Sequence, residues 1–151
     1  MIVGIDPGVK TGVEIGCAMR SGRNGRREMP SESKEQIALF RWAALACGTR
    51  PELRLLFAIP NGGARDKRTG AMLKAGGVRP GVPDVCLPVK TEHYGGLWIE
   101  LKRRGERGKP KGRPSDVQLQ WLGALQSHGQ CAAICYGWDE ARDVIEGYLK
   151  Q

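Results

Sequence analysis

Leu97-Trp98-Ile99-Glu100-Leu101-Lys102 is an alternating hexapeptide. As a β-strand it turns Leu97, Ile99 and Leu101 to one face and Trp98, Glu100 and Lys102 to the other. A carboxylate and an ammonium group then share one side of a strand otherwise built for a core. Taken alone, the pair is compatible with an ion pair at a sheet edge. Pro83-Asp84 changes the balance, because it opens the preceding apolar stretch. Hairpin-like pairing of the two stretches brings Asp84 beside Glu100. Two carboxylates converging next to a lysine are costly unless a divalent cation neutralises them. Asp84, Glu100 and Lys102 therefore read as an oxygen-rich Mg2+ or Mn2+ site with a cation at its side. Such a site can polarise a phosphate, acidify a water and hold it for in-line attack.

The elements that must position these residues are legible from patterning. Ser31 to about Cys47 reads as a helix, with Ser31 as N-cap, Glu32 and Glu35 in the first turn, and Ile37, Phe40, Ala44 and Leu45 as a stripe. Leu55 to Ile59 reads as a buried strand stopped by Pro60-Asn61-Gly62-Gly63. A short basic helix follows from Asp66 to about Ala75, closed by Gly76-Gly77. Strands are expected at Asp84–Val89, Gly96–Lys102 and Gln130–Tyr136. Ser115 caps a helix that carries Val117, Trp121, Leu122 and Leu125, and Asp139 caps a last helix with Ala141, Val144, Ile145, Tyr148 and Leu149 at helical spacing. The order predicts an α/β domain over residues 31–151, with a central mixed four-stranded sheet flanked by helices. Residues 1–30 read as an extension, a β-hairpin turning at Pro7-Gly8-Val9-Lys10.

The chain has 151 residues, with Lys+Arg 24 against Asp+Glu 16, so its net charge is 24 − 16 = +8. That length suits one domain. No apolar run approaches the ~20 residues needed to span a bilayer, and the N-terminus lacks the pattern of a signal peptide. The expected compartment is the cytoplasm. Five cysteines without a C-x-x-C pair argue against both a disulfide framework and a zinc site. The positive surplus favours a polyanionic partner, and with no basic amphipathic helix in view nucleic acid is preferred to a membrane. The cations gather in groups: Arg20, Arg23, Arg26 and Arg27; Arg65, Lys67, Arg68, Lys74 and Arg79; and Lys102, Arg103, Arg104, Arg107, Lys109, Lys111 and Arg113. Each group is either a solvated loop or a phosphate-contacting surface.

Several ordered segments carry a resemblance. Pro83-Asp84 with Glu100-Leu101-Lys102 has the form of the PD-(D/E)XK nuclease signature. Around it stand Ile59-Pro60-Asn61-Gly62-Gly63-Ala64-Arg65, Lys74-Ala75-Gly76-Gly77-Val78-Arg79-Pro80-Gly81-Val82-Pro83, Ser115-Asp116-Val117-Gln118 and Gly137-Trp138-Asp139-Glu140-Ala141. From about Ser31 onward the chain resembles the VRR-NUC (virus-type replication-repair nuclease) family in its small standalone form, common in phages. The resemblance implies a restriction-endonuclease-like core and Mg2+- or Mn2+-dependent cleavage of DNA. It makes Asp84, Glu100 and the Leu101 carbonyl metal ligands, and it gives Lys102 the attacking water. Glu32 matches the family's first-helix acid, acting on the metal directly or through water, with Glu35 as an adjacent rival. Gln118 matches the glutamine of the helix after the catalytic strand. The resemblance further implies a homodimer that cuts branched DNA such as four-way junctions.

Ile2-Val3-Gly4-Ile5-Asp6-Pro7-Gly8 instead resembles the first strand of RNase H-like junction resolvases, whose leading aspartate binds Mg2+. The rest of the chain is already taken by the other family, so Asp6 is read as structural or as a relic of an upstream domain. Three readings remain: a VRR-NUC-type endonuclease, a resolvase built on Asp6, and a non-catalytic basic nucleic-acid-binding module.

Overall fold

The computed structural model describes residues 31–60, 67–105, 108 and 110–151. The expected N-terminal hairpin, Asp6, Arg65, Arg107 and Lys109 lie outside them. The elements run α1 (Ser31–Ala46), a 3₁₀ turn (Pro51–Leu55), β1 (Phe57–Ala58), α2 (Lys67–Ala75), β2 (Val85–Leu87), β3 (Leu97–Lys102), α3 (Asp116–Ser127), β4 (Cys131–Tyr136) and α4 (Trp138–Tyr148). The sheet order is β1-β2-β3-β4. The first two pairings are antiparallel and the last is parallel, so the sheet is mixed. A parallel neighbour requires a crossover, and α3 provides it between β3 and β4.

Hydrophobic burial decides where β3 lies. Leu97, Ile99 and Leu101 are all but inaccessible, packed with Leu39 and Ala43 of α1 and Ala141, Ile145 and Tyr148 of α4. Those helix residues recur at i, i+4 and i+7, a single face of each helix. Each fully buried aliphatic side chain is worth roughly 1.5–3 kcal/mol. This face therefore anchors the strand, and the polar face is carried with it. α3 covers the opposite side, where Leu122 is buried and Gln118 reaches Glu100.

Three expectations need correction. The stripe expected on α1 is not its core face: Leu39 and Ala43 are buried there, while Ile37, Ala44 and Leu45 are exposed. The apolar run 55–59 is not one buried strand. Pro51 starts the 3₁₀ turn that ends at Leu55, and only Phe57 and Ala58 pair, at the sheet edge, with Phe57 46% exposed. An apolar run alone does not distinguish a turn over the core from a strand within it. The last helix is capped not by Asp139 but by Gly137, whose φ of 98° suits glycine. Asp139 lies in the first turn and is engaged by Arg104.

Candidate active site

The sheet register sets the central pair. Val85 stands opposite Ile99, so one step further along the antiparallel ladder Asp84 stands opposite Glu100. Asp84 follows a turn that α3 holds in place. The Trp121 indole donates to the Pro80 carbonyl at 2.9 Å, and Gly81, at φ 80°, lies so close to Val117 that a Cβ would meet its side chain at 2.6 Å. The main chain of Asp84 accepts from Ile59 N–H at 2.8 Å. Its side chain accepts from Leu101 N–H at 2.9 Å, a donor left over where the β2–β3 ladder ends. The carboxyl is thus fixed beside β3, and among the described residues no ion pair is made to it.

Glu100 is fully buried. Its two oxygens differ. Oε1 receives Lys102 Nζ at 2.7 Å and also the Gln118 side-chain amide. Oε2 is buried and accepts no hydrogen bond among the described residues. The Asp84 and Glu100 carboxyls stand near enough for each to shift the other's titration, and two ionised carboxylates in that relation repel unless a proton or a cation relieves them.

The titration behaviour follows from this crowding. Burial, and then the neighbouring Asp84, push Glu100 up to about 7 against the opposing pull of Lys102. Burial also raises Asp84, against the Leu101 N–H and Lys102, which lower it. Desolvation pulls Lys102 down, but the Glu100 hydrogen bond and the charges of Glu100, Glu32 and Asp84 outweigh it, so its ammonium is held more firmly than usual. A buried ion pair seldom repays its desolvation, so this pair is a poor device for stability. Perturbed carboxyls beside a buried lysine are the pattern of a functional site.

Gln118 is oriented by a capping box. Ser115 Oγ accepts from Gln118 N–H, and Gln118 Oε1 accepts from Ser115 N–H at 2.8 Å. With its oxygen occupied there, the amide must present its NH2 to Glu100. The Ser-x-x-Gln spacing is the sequence signature of such a box, so this double role could have been foreseen.

The two first-turn acids of α1 have different surroundings. Glu35 Oε2 accepts from Trp138 N–H at 2.9 Å and from Arg104 at 3.4 Å. Glu32 is exposed. A Cβ on Gly112 would lie 3.2 Å from Glu32 Oε1 and 3.4 Å from Lys102 Cβ, so Glu32, Gly112 and Lys102 meet at one seam. Gly112 carried no signal in sequence beyond its place in a basic loop. Gln36, four residues beyond Glu32 on the same helix, lines a groove with Ile37, Phe40, Arg41 and Ala44.

The basic residues divide. Lys74, Arg79, Lys111 and Arg113 are exposed. The side chains of Lys67 and Arg68 are outside the description. Arg103 donates to the Pro110 carbonyl at 2.7 Å, and Gly112 N–H donates to the Arg103 carbonyl at 2.9 Å, which pinches the loop at its neck. Lys111 lies 4.1 Å over the Tyr136 ring. Arg104, grouped above with the phosphate-contacting cations, is turned inward to Glu35 and Asp139, so its charge is matched locally.

The residues fit a divalent cation. Among the described residues no three His, Cys, Asp or Glu side chains form a ready metal-binding group, so Glu32 stands outside the immediate pair. Mg2+ keeps several waters and takes one or two carboxylates. Asp84 and Glu100, with an orphaned buried oxygen between protein donors and the opposing acid, meet that requirement.

No described helix is long and apolar enough to cross a membrane. A family model described as the VRR-NUC domain matches residues 30–139. A solved structure named "VRR_NUC domain protein" shares the fold with a TM-score of 0.64 at 24% identity, covering 82% of this chain and 91% of its own. No curated protein matches the chain. With the family model spanning well over half of the sequence and its sheet and helices in place, the chain belongs to the VRR-NUC family, a nuclease-type family whose domain implies nucleic-acid binding.

Proposed function

We propose that the protein is a Mg2+- or Mn2+-dependent DNA endonuclease acting on branched DNA such as four-way junctions. The observation that carries this reading is the buried Glu100, with Oε1 held by Lys102 and Gln118 and Oε2 left without a donor opposite Asp84. Asp84 and Glu100, with the Leu101 carbonyl, would hold the divalent cation, which when bound would supply positive charge for the scissile phosphate and acidity for a water. Lys102 remains protonated at neutral pH because acids surround it. Its role is therefore to orient the attacking water and to offset charge growing on the phosphate oxygens, rather than to accept a proton. Gln118 keeps Glu100 from rotating away, and Glu32 stands at the same seam to hold a further water. Lys74, Arg79, Arg103, Lys111 and Arg113, together with Arg65, Lys67, Arg68, Arg107 and Lys109, track the DNA backbone.

Branched substrate, homodimeric assembly, and a place in phage replication, recombination or repair in the host cytoplasm rest on the likeness to the family's small standalone members. Paired nicks across a junction suit two sites related by a two-fold axis. The test compares four-way junction, splayed and linear duplex DNA, each with and without Mg2+ or Mn2+. Metal-dependent cutting of the junction, lost in Asp84→Ala and retained in Asp6→Ala, is the expected result. The reverse dependence would transfer the activity to an RNase H-like site. Binding without cutting under any metal would leave a basic binding module.

A further inference from the structure

Arg104 follows Lys102 by two residues and is gripped from two helices. One guanidinium nitrogen lies 3.4 Å from Glu35 Oε2 in α1 and 2.5 Å from Asp139 Oδ1 in α4, and another donates to Asp139 Oδ2 at 3.0 Å. Glu35 Oε2 also takes the Trp138 N–H at 2.9 Å. Gly137 makes the grip possible. A Cβ there would fall 2.2 Å from the guanidinium, and Gly137 N–H donates to the carbonyl of Lys102 itself at 3.0 Å. One joint therefore ties the first turn of α1, the exit of β3 and the start of α4.

Glu32 and Glu35 are three residues apart, neighbours on one helix surface. Fixing Glu35 fixes the rotation of that turn, and with it the direction of Glu32 toward Gly112 and Lys102. We propose that Arg104 is a positioning residue of the catalytic centre: by clamping Glu35 to the start of α4, it sets where the Glu32 carboxylate stands relative to Asp84, Glu100 and Lys102. This rests on the nuclease reading and adds to it, since it gives Arg104 a role in the reaction that phosphate contact would not.

The geometry makes the effect specific. Arg104→Lys keeps a cation but offers a single ammonium where the planar fork spans three acceptors, so it should rescue only in part. An outer partner that orients a ligand is typically worth 10–100-fold, and a joint that acts through one further residue belongs at the low end.

The test measures cleavage of junction DNA together with Mn2+ affinity by calorimetry on the DNA-free protein. It uses wild type, Arg104→Ala, Arg104→Lys, Glu32→Gln and the Arg104→Ala/Glu32→Gln double variant. Arg104→Ala should lower kcat about tenfold with KM for DNA unchanged and should weaken Mn2+ binding. Arg104→Lys should fall between it and wild type. In the Glu32→Gln background, removing Arg104 should weaken Mn2+ no further, because its effect passes through Glu32. The proposal is overturned if Arg104→Ala raises KM while sparing kcat, which is the signature of a phosphate contact. It is equally overturned if the variant only lowers Tm, or if the two losses of Mn2+ affinity simply add. Those failures leave wild-type cutting and its dependence on Asp84 intact, whereas a wild type that neither cuts nor binds Mn2+ removes the nuclease reading and this proposal together.

Discussion

Two clusters of acids and bases stand at the same end of β3, and they are built to opposite rules. In the outer one, Arg104 meets Glu35 and Asp139, and the Glu35 oxygen also takes a main-chain N–H. Asp139 Oδ1 lacks a well-aligned hydrogen bond, yet a guanidinium nitrogen lies 2.5 Å away. Both of its acids thus touch the one guanidinium directly, at a partly exposed place. In the inner cluster two carboxyls face each other, one lysine pairs with Glu100, and Glu100 Oε2 has no donor among the described residues. Leaving a buried polar atom unmatched costs about 1–3 kcal/mol, and more for a charged group. Each cluster sets two acids against one base, but only the inner one is buried with an oxygen that accepts no hydrogen bond among the described residues, and that contrast is what supports the cation proposed above.

The comparison is broken most directly at Glu100. Glu100→Gln removes the charge while keeping the shape, and cleavage should fall at least about a thousandfold, since metal-assisted charge stabilisation is worth several kcal/mol. DNA binding measured without cutting should persist. If the variant cuts at wild-type rate, the open oxygen is incidental. Lys102→Ala comes next, with an expected loss of about 10²–10³-fold, the scale for one preorganised donor at developing charge. If Lys102→Ala lost binding and cutting in parallel, its role would be phosphate contact alone.

The exposed cations should respond differently from both clusters. Lys111→Gln and Arg113→Gln should each weaken binding and reduce the slope of log K against log salt by about one, because fewer counterions are released. An unchanged slope would remove these residues from the DNA surface.

The smallest effect is in stability against pH. Glu100 is raised from its ordinary 4.5 to about 7 in the folded chain. Below pH 4.5 the carboxyl is protonated folded or unfolded, so it imposes no penalty. Between pH 4.5 and 7 the folded state keeps the proton that the unfolded chain gives up, so the cation-free protein loses stability as pH rises through that window. A Mn2+ ion held by Glu100, as proposed, would compete with that proton. The Tm gained on adding Mn2+ should therefore be larger at pH 8 than at pH 5.5, and equal gains at both would place the ion elsewhere.

Much of this centre is written in local pattern. Alternation in 97–102 separates Glu100 and Lys102 from the core face, and Pro83-Asp84 marks the acid that the register brings opposite. Ser115-x-x-Gln118 contains both the cap and the amide it directs. What pattern could not decide depends on partners far along the chain. Glu32 and Glu35 are both plausible from local pattern, and they part because Trp138, more than a hundred residues later, and Arg104 donate to one of them. Asp139 looks like a helix cap until Arg104 takes it. Leu55 looks like strand until the turn that opens at Pro51 takes it in. The sequence also places Arg104 in a run of basic residues, where nothing local sets it apart.

The pinched neck of the basic loop separates two design problems. Arg103 and Gly112 hold the base of the loop closed, so the chain returns to the seam beside Lys102 whatever lies between residues 104 and 110. Lengthening a flexible loop is cheap, about 0.6 kcal/mol for each doubling. If the chain is the nuclease proposed above, insertions between those ends would leave Lys102 and its neighbours in place, so that the length of the loop could vary independently of the chemistry.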